Sequence, residues 1–536
     1  MTSKITLQRG LIFWFRRDLR LHDQVALTWA ARHAADIGGW LLPVFVHDPA
    51  ESGLTRWGFA RMAPHRRAWL ASAVDALAAQ LRALGSNLVP LHGDSVDTLV
   101  RLARALGNPL LVCEEIAAPE EQAVVAALLA AGVKVQTIWQ SSLVAAEDLP
   151  FDPQAVPDTF TTFRHALERA HVQAARPLPS IKQLPPLPSR ALLNAIPSEV
   201  ASDGTDHAMA CEPWPNDARS AFPLGSSGFD GSEQAALQHL QQYCQRRLPH
   251  SYKSARNGLI GVDYSSKWSP WLATGALSAR QAWAAIQAFE AEHGANESSY
   301  WLWFELLWRD HFRWLHFKHG KQLYRARGLG EAPVPSHDPD HFARWCRGET
   351  GQPFIDAGMR ELAATGYLSN RMRQNVASYL IHDLGCDWRA GAAWFESLLL
   401  DYDVYSNQGN WLYLSGRAPI RGRAGALTRT SRRRITMRMA ATAHYGRGQH
   451  EHRCIAFVDP RQFKCNPSLD SGRPAQSPAF LVCQCQPRCG VRHDGDPPGD
   501  RLCAAPCAKD TGDICRHAPF CPATQTRWAS RALYRH

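Results

Sequence analysis

No apolar run in this 536-residue chain approaches the roughly 20 residues that a membrane-spanning helix needs, which excludes a helical membrane protein. The N-terminal MTSKITLQRG has no apolar stretch of the kind a secretory signal carries, so the chain reads as cytoplasmic. No internal repeat is evident, which argues against solenoids and propellers. Paired C-x-x-C knuckles at regular separation are missing, so no metal site is expected. Wholesale disorder is excluded by a composition that is 45% hydrophobic and 20% charged. At roughly 150 residues per domain the length allows two to four domains.

What is present is unevenly spread. The chain carries 59 Lys and Arg against 49 Asp and Glu, a charge of +10, which in bulk suggests an anionic partner. Residues 417–536 hold 21 of the basic residues and 8 of the acidic ones, or +13, together with nine of the 14 cysteines. The body has a charge of −3 and holds 18 of the 19 tryptophans. DNA binding by the body therefore needs a local basic groove. Three textures precede the tail. In residues 1–150 short β-rich runs (Leu11–Phe15, Trp40–Val46, Asn87–Gly93, Leu110–Glu115, Val133–Trp139) alternate with helical patterns, predicting βαβ units and a Rossmann-like parallel sheet. Residues 151–231 read as an inter-domain linker, with a shift to Pro, Ser, Ala and Gly from about Arg176. Residues 232–416 lose strand signals and read as an all-helical domain. The fold class is thus α/β plus all-α, with residues 417–536 an irregular, disordered tail.

Four segments carry chemistry. FWFRRDLRLHDQVAL runs from a strand into an Arg/Asp-rich turn, which alone could equally be a surface turn. In YKSARNGLIGVDYSSKWSPWLATGALSAR, Ser265, Ser266 and Ser269 around Lys267, with Tyr252 and Arg256, can cradle a diphosphate at a helix start without a glycine-rich loop. In FELLWRDHFR, Glu305 and Arg309 stand four apart, where the plain expectation is an i,i+4 ion pair beside core aromatics. In residues 351–411, Asn370, Arg373, Asp401, Asp403 and Asn407 crowd with Trp388 and Trp411.

Together, RRDLRLHD, SPWLATGALS, ELLWRD, SNRMRQ and DYDVYSNQGNW follow the order and spacing of the cryptochrome/photolyase family, which residues 11–416 resemble throughout. The likeness is to its cryptochrome DASH type, because Gln374 and Tyr413 stand where ordinary photolyases tend to carry Met and Trp. The resemblance implies an α/β antenna domain and a helical domain that holds FAD. The FAD residues would be Tyr252, Arg256, Ser265, Ser266, Lys267, Trp268, Ser269, Glu305, Arg309, Phe312, Asn370, Arg373, Asp401, Asp403 and Asn407. It further implies light-driven repair of cyclobutane pyrimidine dimers, mainly in single-stranded DNA, by a monomer that binds RNA or duplex only weakly. Glu305, Trp308 and Asn370 would handle the flipped base, with Gln374 and Tyr413 beside Trp308 at the lesion. Trp388 and Trp411 would relay electrons to the flavin. The third tryptophan of that relay is expected near Pro335 and Ser336, where none stands; Trp345 or Tyr324 would substitute, or photoreduction is impaired. Methenyltetrahydrofolate would serve as antenna near Glu120 and Glu121, although two acids opening a helix are equally a surface N-terminus. The alternatives are a signalling photoreceptor without repair, or an inactivated product.

That last alternative comes from the tail. Family members continue past GNW as DPR…RFN…KQA…YD, whereas this chain reads RAPIRGRAGALTRTSRRRITMRM. If each codon begins one base earlier, Pro419 to Met439 can encode PDPRAGRRFNPDKQAADYDAD. Ile420, Ile435 and Met437 each force a codon ending in AT, for which the expected Asp is available. A frameshift at Arg417 or Ala418 accounts for this, and GC-rich DNA read out of frame also accounts for the excess of Arg, Pro and Cys. Resequencing the gene there is expected to restore the family-like frame; an intact frame, with a close relative carrying the same tail, contradicts it.

Overall fold

The computed structural model describes residues 9–197, 217 and 220–418; the readings made on the rest of the tail, on residues 1–8 and on most of 198–219 lie outside the described residues. Five β-rich runs become strands β1 (Gly10–Phe15), β2 (Trp40–His47), β3 (Val89–His92), β4 (Leu110–Glu114) and β5 (Val135–Ile138). They form one sheet in the order β3-β2-β1-β4-β5 with every pair parallel. Helices α1 (Val25–Asp36), α2 (Pro64–Ala83), α3 (Ser95–Ala105) and α4 (Pro119–Ala130) connect them. β1 is buried along its whole length, as a central strand covered on both faces must be, which is why it reads as unbroken apolar sequence. The order reverses between β1 and β4, so the crevice beyond their carboxyl ends is where such a sheet binds ligands.

After α5 (Phe160–Arg169) and α6 (Arg190–Leu193) the chain is helical: α7 (Glu233–Gln245), α8 (Tyr252–Ala255), α9 (Ser269–Thr274), α10 (Ala279–His293), α11 (Glu297–His319), α12 (Pro339–Arg347), α13 (Pro353–Thr365), α14 (Asn370–His382), α15 (Trp388–Leu398) and α16 (Val404–Leu414). α5 corrects the reading of 151–231 as a bare linker. Its Phe160, Phe163 and Leu167 are buried at i, i+3, i+7, a period that the surrounding proline and serine hide in any window average.

The turn after β1 is not a surface turn. Asp18 is fully buried and accepts from the Arg16 amide at 2.8 Å and from the side-chain amides of Gln24 and Gln140, each at 2.8 Å. Arg20 donates to the carbonyls of Gly275 (3.0 Å) and Asp23 (2.9 Å). Asp23, in the left-handed region at φ 51°, accepts from the Ser278 hydroxyl at 2.5 Å, Arg280 Nε at 2.9 Å and the Leu178 amide at 3.0 Å. Glu233 accepts the amides of Leu21 and His22, both at 2.9 Å. Gly275 completes the contact: a Cβ there would lie 2.1 Å from the Arg17 carbonyl oxygen. The RRDLRLHD turn therefore fastens the sheet to α7, α9 and α10.

Replacing Asp23 by Ala strands Arg280 and Ser278 in a dry interface. It is expected to cost about 3–5 kcal/mol in denaturant unfolding, the range for removing one partner of a buried ion pair; a loss under about 1 kcal/mol contradicts the fastening role.

Candidate functional site

A cavity of about 250 Å³ opens between α8, the loop before α9, α11 and α14. Its floor is the YSSKWS segment. Lys267 takes a left-handed backbone (φ 58°), and its side chain is 1% exposed. Its ammonium sits 3.2 Å from the Tyr264 ring centre and 4.9 Å from that of Tyr367, with no hydrogen-bond partner. Burial, the largest cause, lowers its pKa to about 6, against the nearby carboxylates Glu361, Asp401 and Asp263. Ser265 and Ser269 hydrogen-bond the Tyr367 phenol, and the Ser266 carbonyl meets a ring nitrogen of His239 at 2.9 Å. α9 has only six residues, so the hydroxyls and Lys267, more than a helix dipole, make this end of the cavity attractive to an anion.

A second chamber of about 80 Å³ shares Asn370, Arg373, Asp401 and Ser406 with the first and adds Gln374, Asp403, Asn407 and Trp411. Arg373 Nη2 lies 2.9 Å from Asp401 Oδ2, while Asp401 Oδ1 is buried without a donor. Asp403 caps α16 by accepting the Ser406 amide at 2.7 Å. Burial pushes its carboxyl up, but Arg309, Arg313 and that amide outweigh burial and hold it below the usual range. Asn407 Nδ2 donates to the Ala392 carbonyl at 3.0 Å, leaving its oxygen uncommitted in the observed hydrogen bonds. Glu305 does not pair with Arg309. It pairs with Arg256 across the cavity mouth, and burial, opposed by Arg256, raises its pKa. Arg309 instead donates to the carbonyls of Ser141 (2.8 Å) and Leu272 (3.2 Å), because its four-residue neighbour is claimed elsewhere.

Beside these chambers, a mostly apolar cavity of about 180 Å³ is lined by Phe160, Trp308, Phe312, Leu412 and Tyr413. Trp308 lies 6.1 Å from Tyr413, centre to centre, and stacks on Phe160 at 3.9 Å and 11°. Three predicted residues thus fall apart from the rest. Phe312 lines this apolar cavity and not the two polar chambers. Its ring packs where a Cβ on Gly409 would come within 2.1 Å. Gln374 lies in the second chamber, away from Trp308 and Tyr413, held by Arg371 at 2.9 Å. Trp388 is 1% exposed, with its indole N–H on the Ala326 carbonyl at 3.2 Å.

A further cavity of about 200 Å³ lies beyond the carboxyl ends of β1 and β2. Glu120 and Glu121 both line it, with Arg61, Arg66, Arg313, Glu396, Tyr402 and Asp403. Arg61 binds Glu120 at 2.5 Å and Glu396 at 2.6 Å, and burial raises the pKa of Glu121. Sequence reasoning missed Tyr264, Tyr367 and Arg61. Tyr367 lies two residues before the SNRMRQ run and was within reach; Arg61 sits in a loop with no pattern to flag it.

An unpaired buried ammonium, an Asp401 oxygen lacking a donor, and connected chambers that are cationic at one end and amide-lined at the other fit a dinucleotide with an anionic diphosphate and a flat polar ring. Comparison with known proteins agrees. Residues 301–428 match the FAD binding domain of DNA photolyase, and residues 11–185 match DNA photolyase. A Xenopus laevis protein named Cryptochrome DASH is 44% identical over 418 residues, 76% of each chain.

The chain belongs to the cryptochrome/photolyase family.

Cryptochrome DASH of Gloeobacter violaceus is 41% identical over 76% of this chain and 79% of its own. The crystal structure of a Synechocystis cryptochrome superimposes with a TM-score of 0.74 at 36% identity, covering 82% of this chain and 88% of that one. A class III photolyase from Agrobacterium tumefaciens gives 0.61 at 26%, covering 77% and 81%. This chain is accordingly an FAD-binding, photolyase-like cryptochrome, and no described helix is long and apolar enough to cross a membrane.

Lys267 makes a prediction with opposite signs. Without FAD, the folded protein binds fewer protons at this site than the unfolded chain, so Lys267's contribution to stability rises from about pH 6 toward 10.5. Replacing Lys267 by Met is expected to remove that slope, to raise apoprotein stability below pH 6 by about 1–3 kcal/mol and to weaken FAD binding. A variant that loses apoprotein stability and keeps wild-type FAD affinity contradicts the assignment.

Proposed function

We propose that this family member is a photoenzyme of the DASH type that repairs cyclobutane pyrimidine dimers, mainly in single-stranded DNA, as a cytoplasmic monomer. The observation that carries this reading is the Trp308–Tyr413 wall beside the chambers that suit FAD. Bound FAD supplies a light-driven electron to the dimer, which returns once the ring has split. The chain's residues do the rest. Lys267 and the Ser265, Ser266 and Ser269 hydroxyls hold the diphosphate, and the Arg373–Asp401 pair and Asn407 border the ring. Glu305 and Asn370, which line the larger chamber, would meet the flipped base.

The preference for single strands follows from the lesion wall. With a tyrosine at 413, and with Gln374 tied through Arg371 to Asn257 (2.6 Å), these two positions supply no apolar wedge to offset unstacking a duplex. RNA and duplex DNA are therefore weak partners. The 200 Å³ cavity is proposed to take methenyltetrahydrofolate, with Glu120 and Glu121 as acceptors and Tyr402 as a flat wall. A second reading, a photoreceptor without repair, is favoured by Phe160, which covers one face of Trp308 at 3.9 Å. The inactivated-product reading rests on the tail and is tested by the gene sequence.

The test is light-dependent loss of dimers from single-stranded and duplex oligonucleotides. Repair is expected on the single strand, slower on the duplex, and lost with Trp308→Ala. Equal repair of both forms contradicts the substrate preference, and no repair by protein carrying FAD favours the photoreceptor.

A further inference from the structure

Helix α5, hidden in the stretch that reads as a linker, supplies a side chain to the Trp308 wall. Hydrogen bonds fix α5 and the loop before it to α11 on both sides of Trp308. Toward the start of α11, the Tyr300 hydroxyl donates to Glu168 at 2.7 Å and accepts from Arg164 at 2.9 Å. Toward its end, Lys318 Nζ donates to the Val156 carbonyl and to Asp158, each at 2.8 Å. A ring nitrogen of His319 meets Asp158 at 2.7 Å, and one of His311 meets the Pro157 carbonyl at 2.8 Å. Phe160, the first residue of α5, is held between these two sets of bonds.

Phe160 is buried and fills a slot on α11 between Phe304 and His311, which stand four before and three after Trp308 on one helical face. Its ring meets Phe304 at 5.0 Å and 80° and His311 at 5.8 Å and 60°, both edge-on. Against Trp308 it lies flat, at 3.9 Å and 11°. The other described rings beside Trp308 are tilted: His311, Phe312 and Tyr413 meet it at 68°, 39° and 72°. One face of the indole is therefore taken, and its plane is set by a ring from another helix. A half-buried tryptophan with both faces bare could turn about its two side-chain torsions. A stacked one has lost that freedom on folding, so a ligand that stacks on it does not have to order it.

We propose that Phe160 is a positioning residue for lesion binding, holding the Trp308 indole so that a flipped pyrimidine stacks on its opposite face only. This rests on the reading of Trp308 as part of the lesion wall. Asp158 belongs to the same device. It lines the apolar cavity with Phe160 and Trp308, and its bonds to Lys318 and His319 set where α5 begins. The device is separable from packing, because a leucine at 160 keeps an apolar side chain in the slot and loses only the flat ring.

The test measures binding in the dark by full-length protein carrying FAD, to single-stranded oligonucleotides with and without one cyclobutane thymine dimer. Phe160→Leu is expected to weaken binding of the damaged strand about three- to tenfold, the factor to which a lost stacked pair corresponds. Binding of the undamaged strand and FAD content are expected to stay at wild-type values. In a Trp308→Ala background the same change is expected to have no further effect, because it acts through the indole. Wild-type affinity for the damaged strand in Phe160→Leu, or an equal loss in the Trp308→Ala background, overturns the proposal. Tighter binding by Phe160→Leu also overturns it and makes Phe160 a cover over the site. Should Phe160→Leu fail to hold FAD, Phe160→Met fills the same slot without a ring and decides by the same outcomes. Trp308→Ala binding the damaged strand as well as wild type overturns the lesion-wall reading itself, and the proposal with it.

Discussion

Everything the molecule offers a ligand depends on how the turn after β1 is buried. Asp18, Arg20 and Asp23 are charged groups removed from water, and each is tolerated because partners from α1, α9, α10 and the segment after β5 satisfy it. Removing a charged partner, as Arg280 is to Asp23, leaves a stranded charge. That interlock places the carboxyl edge of the sheet against the helices. The 200 Å³ cavity exists because of it: Arg16 and Arg17 line one side while Arg313, Asp403 and Tyr405 line the other.

The second organising feature is charge left uncompensated. Among the buried polar atoms without a hydrogen-bond partner are Lys267 Nζ, Asp401 Oδ1 and Glu114 Oε2. The first two face the chambers proposed for the dinucleotide. Glu114 lies behind, fully buried, with Arg313 3.8 Å away and its pKa raised by burial to about 7. Asp403 joins the two regions, lining both the second chamber and the cavity at the sheet edge while held ionised by Arg309 and Arg313. An antenna bound at the sheet edge would thus share Asp403 with the flavin chamber, which puts two chromophores within reach of one carboxylate.

The sequence was legible wherever a local period or a run of types carried the message. β1, β2 and β4 were visible because buried parallel strands are apolar runs, β3 and β5 from shorter β-rich runs at the sheet edges, and the helical half because its aromatics recur every three to four residues. The Ser265–Ser269 cradle was visible because one short segment supplies its hydroxyls and Lys267. What was hidden is what depends on partners far away in the chain. Glu305 looked like the partner of Arg309 but was claimed by Arg256, 49 residues earlier. The family resemblance implies Phe312 as a cofactor contact, but it turns to Gly409 and the apolar cavity. α5 was lost among prolines.

The central claim is that the chamber around Lys267 takes the diphosphate of FAD against its buried ammonium. Equilibrium dialysis of purified full-length protein against FAD, with riboflavin as the phosphate-free comparison, tests it most directly. The account predicts one FAD bound per chain and much weaker retention of riboflavin, because only FAD brings the anion that Lys267 lacks. A folded protein with native helical content that retains neither, or retains both equally well, would contradict it.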